Sequence, residues 1–281
     1  VSERLPSGKV GKKMYIEVER GIRIYVHDMN PGKGGRPIVF VHGWPANHKM
    51  FEYQYNVLPH YGFRCLGLDL RGFGQSDKPW SGYSYDRLSD DLSIVLETLQ
   101  LENAALVGFS IGGAISIRYM ARHGGRRIGK LALVDAAAPV FTKRPDYPYG
   151  LPVEQVNDLI RQTYKNRPQM LAAFGGMFFN RNLGPQLLNW FHDLGLEASS
   201  HATIQCLISL RDEDLRKDLG SIRVPTGIFH GIHDQIVHFA NAQVMQKAIA
   251  GSRLYPFNNS GHGVVIDETD AFNAALLGFL Q

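Results

Sequence analysis

Ala104-Ala105-Leu106-Val107-Gly108-Phe109-Ser110-Ile111-Gly112-Gly113 reads as an apolar strand running into a glycine-flanked serine, and Ala114–Arg122 continues with helical spacing. A lone G-x-S-x-G pattern means little in a chain with 30 glycines. Its placement between a buried strand and a helix is what counts, because a nucleophilic serine at a strand-to-helix elbow needs this order. The backbone at such a turn is strained, so its neighbours must be small for it to close. The turn lifts the hydroxyl out of the sheet, and the helix N-terminus behind it favours developing negative charge. An ordinary turn with Ser110 as N-cap has the same sequence, so the motif decides nothing alone.

Outward from this stretch the alternation repeats. Ile38–Val41, Cys65–Leu68, Leu131–Val134 and Thr226–Phe229 are short continuous apolar runs, the pattern of strands buried on both faces. Leu88, Leu92, Val95, Leu96 and Leu99 carry helical spacing between two of them. Strand, helix, strand, repeated, predicts an α/β fold with a mostly parallel sheet and helices on both faces. Met14–Val18 and Ile22–His27, joined by a tight turn at Glu19–Gly21, predict an edge hairpin.

After Val134 the alternation stops. From Ala136 to about Leu219 no strand is evident, and short helical patterns are interrupted by Pro139, Pro145, Pro148, Pro152, Pro168 and Pro185. Aromatic residues and Met are dense there, which predicts a helical cap insertion with a small core of its own. It would lie over the strand ends where such sheets bind ligands. The expected organisation is a core domain of residues 1–135 and 221–281 with a cap of 136–220.

Length and composition set the bounds. The 281 residues suit one large α/β domain with an insertion, and 44% hydrophobic with 20% charged residues is ordinary for a globular enzyme. The net charge of +4 raises nucleic-acid binding as a possibility, but the basic residues are scattered, so no nucleic-acid partner is expected. No apolar run is long enough to span a bilayer, so no membrane partner is expected either. Two cysteines, Cys65 and Cys206, sit in apolar stretches and read as buried hydrophobes, which fits a reducing cytoplasm. Val1–Val10 is polar and unlike a secretory leader, although a chain that opens without Met leaves room for residues upstream.

Serine is a poor nucleophile at neutral pH and needs a base. His262, in Ser260-Gly261-His262-Gly263 after the strand Arg253–Phe257, is the best placed of 11 histidines. The base needs a carboxylate to hold its tautomer. Asp234, in the loop after Thr226–Phe229, satisfies the order Ser, Asp, His. Asp135, at the end of Leu131–Val134, is the rival, and a turn or helix cap is the plain reading of either. The oxyanion needs two backbone donors. The N–H of Ile111 is one, and the N–H of Trp44, in His42-Gly43-Trp44-Pro45, is the other. His42 reads as a brace for that loop. Trp44, Phe174, Met177 and Phe178 are the expected substrate-binding side chains.

Together, His42–Pro45, Asp69-Leu70-Arg71-Gly72-Phe73-Gly74-Gln75-Ser76-Asp77, Gly108–Gly113, the Asp234 loop and Ser260–His262 resemble the α/β-hydrolase superfamily. The resemblance runs from about Met14 to the C-terminus. It is nearest to bacterial carboxylesterases and to cofactor-free haloperoxidase-like (perhydrolase) serine hydrolases. It implies a serine hydrolase that cleaves carboxylic esters through an acyl-enzyme, and the aromatic, Met-rich cap predicts an apolar pocket for short to medium acyl groups or aryl groups. Relatives that dehalogenate haloalkanes or open epoxides carry Asp at the elbow, where this chain has Ser110. Many perhydrolase-like members carry Met after the serine, where this chain has Ile111.

Perhydrolysis, lactam cleavage and carbon–carbon bond hydrolysis are alternatives with the same residues. A small-ligand receptor on the same fold is the alternative that is not an enzyme. Gly72-Phe73-Gly74 lacks the third glycine of a dinucleotide loop, and His230, His233 and His238 straddle the proposed acid, so no cofactor and no metal are expected. The expected partner is a small-molecule ester; the oligomeric state is unknown from sequence.

Overall fold

The computed structural model of the chain describes residues 11–31 and 35–281. Val1–Val10, and with them the reading that they form no secretory leader, lie outside that range, as do residues 32–34.

Among the described residues one sheet holds β1 (Lys12–Glu19), β2 (Ile22–Asp28), β3 (Arg36–Val41), β4 (Phe63–Leu68), β5 (Ala104–Phe109), β6 (Ile128–Val134), β7 (Thr226–Gly231) and β8 (Arg253–Phe257). Their order is β1-β2-β4-β3-β5-β6-β7-β8. The β1–β2 hairpin and the β2–β4 pair are antiparallel, and every later pair is parallel. All residues of β5 and β7 are buried, so both sheet faces are covered there, as continuous apolar runs require.

The helices are α1 (Glu52–Tyr55), α2 (Tyr85–Thr98), α3 (Ile111–Arg122), α4 (Val153–Phe178), α5 (Gly184–Leu196), α6 (Ser200–Asp212), α7 (Ala240–Ala248), α8 (Val264–Asp267) and α9 (Thr269–Leu280). Ser84 caps α2 by accepting the Arg87 N–H, and Leu88, Leu92, Val95 and Leu96 bury its apolar stripe. Gly227 and Phe229, two apart and so on one face of β7, meet Phe279 of α9, and Phe229 also meets Phe272.

The insertion between β6 and β7 is helical. Its first element differs from the expected short pieces: α4 spans 26 residues with a break at Asn166 (φ −158°, ψ 80°). Pro168 has no N–H to continue the first half. The Asn166 side chain accepts the Gln169 N–H, capping the second half, so the helix restarts at once.

Register aligns the strand ends. Val41 pairs with Gly108, Phe109 with Val134, Val134 with Phe229 and Gly231 with Phe257. The loops bearing Trp44, Ser110, Asp135, Asp234 and His262 therefore all leave the same edge of the sheet, the one the helical insertion adjoins.

Candidate active site

The serine comes first. Ser110 has φ 53° and ψ −120°, a strained turn between β5 and α3 that aims its side chain away from the sheet. Close packing explains the flanking glycines. A Cβ on Gly108 would lie 2.5 Å from Gly112 O, and one on Gly112 would lie 2.3 Å from Val41 O. Either side chain would force the elbow open.

His262 Nε2 lies 3.0 Å from Ser110 Oγ, and His262 Nδ1 lies 2.7 Å from Asp234 Oδ2. An ionised carboxylate only accepts, so Nδ1 carries the hydrogen and bare Nε2 accepts from the serine hydroxyl. Asp234 Oδ1 accepts the N–H groups of Ile236 and Val237, each at 2.8 Å. Burial alone would raise this carboxyl, but the His262 and His230 imidazoles beside it overcome that and hold it below the usual carboxylate range. His262 is fully buried and Ser110 is 5% exposed. The phenyl ring of Phe178 stands edge-on to the imidazole of His262 at 4.9 Å, and that of Phe109 lies 5.2 Å away.

Asp135, the rival acid, makes other bonds. Its oxygens accept the N–H groups of Gly231 at 2.9 Å and Val264 at 3.2 Å. Burial pushes its carboxyl well above the usual range, although His230 pulls the other way. His230 Nε2 donates to Val237 O at 2.8 Å and lies 3.3 Å from Asp234 Oδ2, while its Nδ1 has no partner among the described residues. One atom each of Asp135, His230 and Asp234 lie within 4.8 Å of one another, the arrangement that would best suit a cation among the described residues. Both carboxylates of the cluster already accept main-chain N–H groups, and Asp234 also holds His262. His233 and His238 are exposed and take no part in the cluster.

The segments that carry the two expected oxyanion donors adjoin the serine. Ile111 follows it directly, and the backbone at Gly43, the residue before Trp44, is so close that a Cβ there would lie 2.9 Å from Ser110 Cβ. Ile111 opens α3, and neither its N–H nor that of Trp44 is spent on a backbone acceptor among the described residues. His42 Nδ1 donates to Gly43 O at 2.9 Å and its Nε2 accepts the Leu70 N–H at 2.9 Å. Burial lowers the pKa of this imidazole to about 4, so it is a neutral brace between the two loops.

Above Ser110 a pocket encloses about 530 Å³ of empty space, part of it open to solvent. Trp44, Phe174 and Met177 line it, together with Phe141, Leu159, Leu207, Leu210 and Ile236, while Gln155 and Gln235 supply polar groups. Phe178 is not in this wall; it packs behind, against His262. Met and Phe on the α4 stripe were legible as pocket candidates. The residues from α6, the Asp234 loop and the segment before α4 had no local signal to single them out.

This geometry can be set beside known proteins. The profile described as alpha/beta hydrolase fold matches residues 36–269. The chain is 53% identical over 265 residues to the AB hydrolase superfamily protein YisY of Bacillus subtilis, covering 94% of this chain and 98% of that one. It is 30% identical to the bifunctional esterase/perhydrolase DCH of Acinetobacter calcoaceticus, over 95% of this chain and 99% of that one. The solved esterase EaEST from Exiguobacterium antarcticum superposes with a TM-score of 0.92 at 47% identity, covering 95% of this chain and 99% of that one. The chain belongs to the alpha/beta hydrolase family.

Proposed function

We propose that this chain is a carboxylesterase that works through an acyl-enzyme on Ser110. The observation that carries the reading is the continuous hydrogen-bond path from Ser110 Oγ through His262 to Asp234, at 3.0 and 2.7 Å, beneath an apolar pocket. Ser110 Oγ attacks the ester carbonyl as His262 Nε2 takes its proton. The N–H groups of Ile111 and Trp44 stabilise the oxyanion, and Asp234 stabilises the imidazolium. His262 then protonates the departing alcohol. A water molecule, giving its proton to His262, releases the acid and restores Ser110.

The mostly apolar lining supports small-molecule esters with short or medium acyl groups, or aryl esters, as substrates. The identity to a named esterase/perhydrolase supports a second reaction at the same acyl-enzyme, in which hydrogen peroxide replaces water and the product is a peracid. A cytoplasmic location rests on two buried free thiols, those of Cys65 and Cys206. Among the described residues no helix is long and apolar enough to cross a membrane.

The test is hydrolysis of a short p-nitrophenyl ester by the wild type and by Ser110→Ala, with peroxide in a parallel series. Multiple turnover in the wild type and a loss of ~10³-fold or more in the variant are expected. Turnover unchanged in Ser110→Ala, or none in the folded wild type, would overturn the reading.

A further inference from the structure

We infer that two buried carboxylates, Asp135 and Asp267, are positioning residues that grip the loop of His262 from either side, one tying it to the acid and the other to the cap helices. The inference rests on His262 as the base of the proposed reaction.

The loop is short and glycine-rich, so little in its own sequence holds the imidazole still. Its amides are held from outside. On one side of His262, Gly261 N–H donates to Asp267 Oδ2 at 2.8 Å. On the other, Val264 N–H donates to Asp135 Oδ2 at 3.2 Å. Between them, Gly263 N–H donates to Phe178 O, the end of α4, at 3.1 Å.

Each carboxylate has a second anchor, and the two anchors differ. Asp135 Oδ1 accepts the Gly231 N–H, three residues before Asp234. Asp135 therefore couples the base loop to the acid loop. Asp267 accepts the N–H groups of Asn180 at 2.9 Å and Arg181 at 3.2 Å, and its carbonyl accepts from the Arg181 guanidinium at 2.6 Å. Asn180 and Arg181 follow α4, whose Phe174 and Met177 line the pocket. Asp267 therefore couples the base loop to the pocket wall.

The packing leaves no slack at this junction. A Cβ on Gly263 would lie 2.5 Å from Phe179 Cε1, and one on Gly261 would lie 2.9 Å from Asn180 N. Both aspartates are fully buried, and burying a carboxyl is costly unless its hydrogen bonds are worth keeping. Burial raises both carboxyls, Asp135 the further. Neither side chain lines the pocket, so each acts through the placement of His262.

The test replaces each aspartate by asparagine, which offers one acceptor and one donor and so must lose a bond to a main-chain N–H. Asp135→Asn is expected to lower kcat by ~10²-fold with KM within about twofold, by the same factor for small and bulky esters. Asp267→Asn is expected to lower kcat too, with a loss and a rise in KM that grow with the size of the acyl group. The low-field proton resonance of the His262 Nδ1–H should move in both.

Wild-type kcat and KM in the folded variants, or lower melting temperatures with kcat intact, would overturn the inference. Should a variant fail to fold, amide exchange in the wild type decides: protection of Gly261 and Val264 comparable to β5 is expected, and exchange as fast as an exposed loop would overturn it. The proposed chemistry is judged separately. A burst of alcohol of full amplitude in the slowed variants keeps the acyl-enzyme standing, whereas turnover persisting in Ser110→Ala removes it whatever the aspartates do.

Discussion

The indole N–H of Trp44 donates to the main-chain oxygen of Thr203 at 3.0 Å, and its ring meets Phe174 edge-on at 4.8 Å. The loop proposed to bind the oxyanion is thus fastened to α6 and α4. Trp44→Phe keeps an aromatic ring and removes the donor, leaving the Thr203 carbonyl only its place in the α6 hydrogen-bond ladder. A stability loss of ~0.5–1.5 kcal/mol is expected in denaturant unfolding. Ester turnover should fall more than substrate binding weakens, because the misplaced N–H is needed in the transition state.

The proton balance of His42 gives a pH dependence. Unfolded, this imidazole takes a proton near pH 6.5; folded and buried, it resists until about pH 4. Between those values the unfolded state binds more protons, so stability falls as pH is lowered through the window. For this group the loss is on the order of 3 kcal/mol. Chemical denaturation from pH 7 to pH 4 should be flatter in His42→Gln than in the wild type. Equal slopes would mean that His42 is protonated in the folded protein as well.

Gly112 touches the carbonyls of both Val41 and His42, with 2.3 and 2.6 Å left for a Cβ. Gly112→Ala must separate β3 from the start of α3. The expected cost is ~1–3 kcal/mol, read by thermal unfolding. Since the shift lies between the two proposed oxyanion donors, hydrolysis should suffer by ~10²-fold even in folded protein.

Phe174 is 5% exposed and forms part of the pocket wall. Phe174→Ala should destabilise the chain by about 3 kcal/mol and enlarge the pocket. A panel of p-nitrophenyl esters is expected to show weaker use of short acyl groups and better use of branched or aryl ones. An unchanged profile would place the acyl group elsewhere.

Much of this arrangement is legible in the sequence. Continuous apolar runs such as Ala104–Phe109 and Thr226–Phe229 must be buried on both faces, and they became β5 and β7. The serine between small residues marks a tight elbow because only small residues let it close. The proline at 168 marked an interruption. It did not reveal that Asn166 would restart the helix, since that depends on one side chain reaching one amide.

The choice between Asp135 and Asp234 was not legible in the same way. Both follow central strands and both reach the same sheet edge. Their distances to His262 depend on how two loops, 28 residues apart for Asp234 and His262, are pressed together. The pocket is similar. Phe141, Leu207 and Ile236 carry no shared pattern, and Phe178 faces the imidazole where its neighbour Met177 faces the cavity.

The sequence by itself determined the order of strands and helices, the strained serine elbow and the set of residues available for chemistry, because periodicity and steric size act locally. Only the tertiary structure decided which carboxylate meets His262, how Asp135 and Asp267 grip its loop and which side chains wall the pocket. Those are contacts between segments far apart in the chain, and their geometry comes from close packing of the whole core.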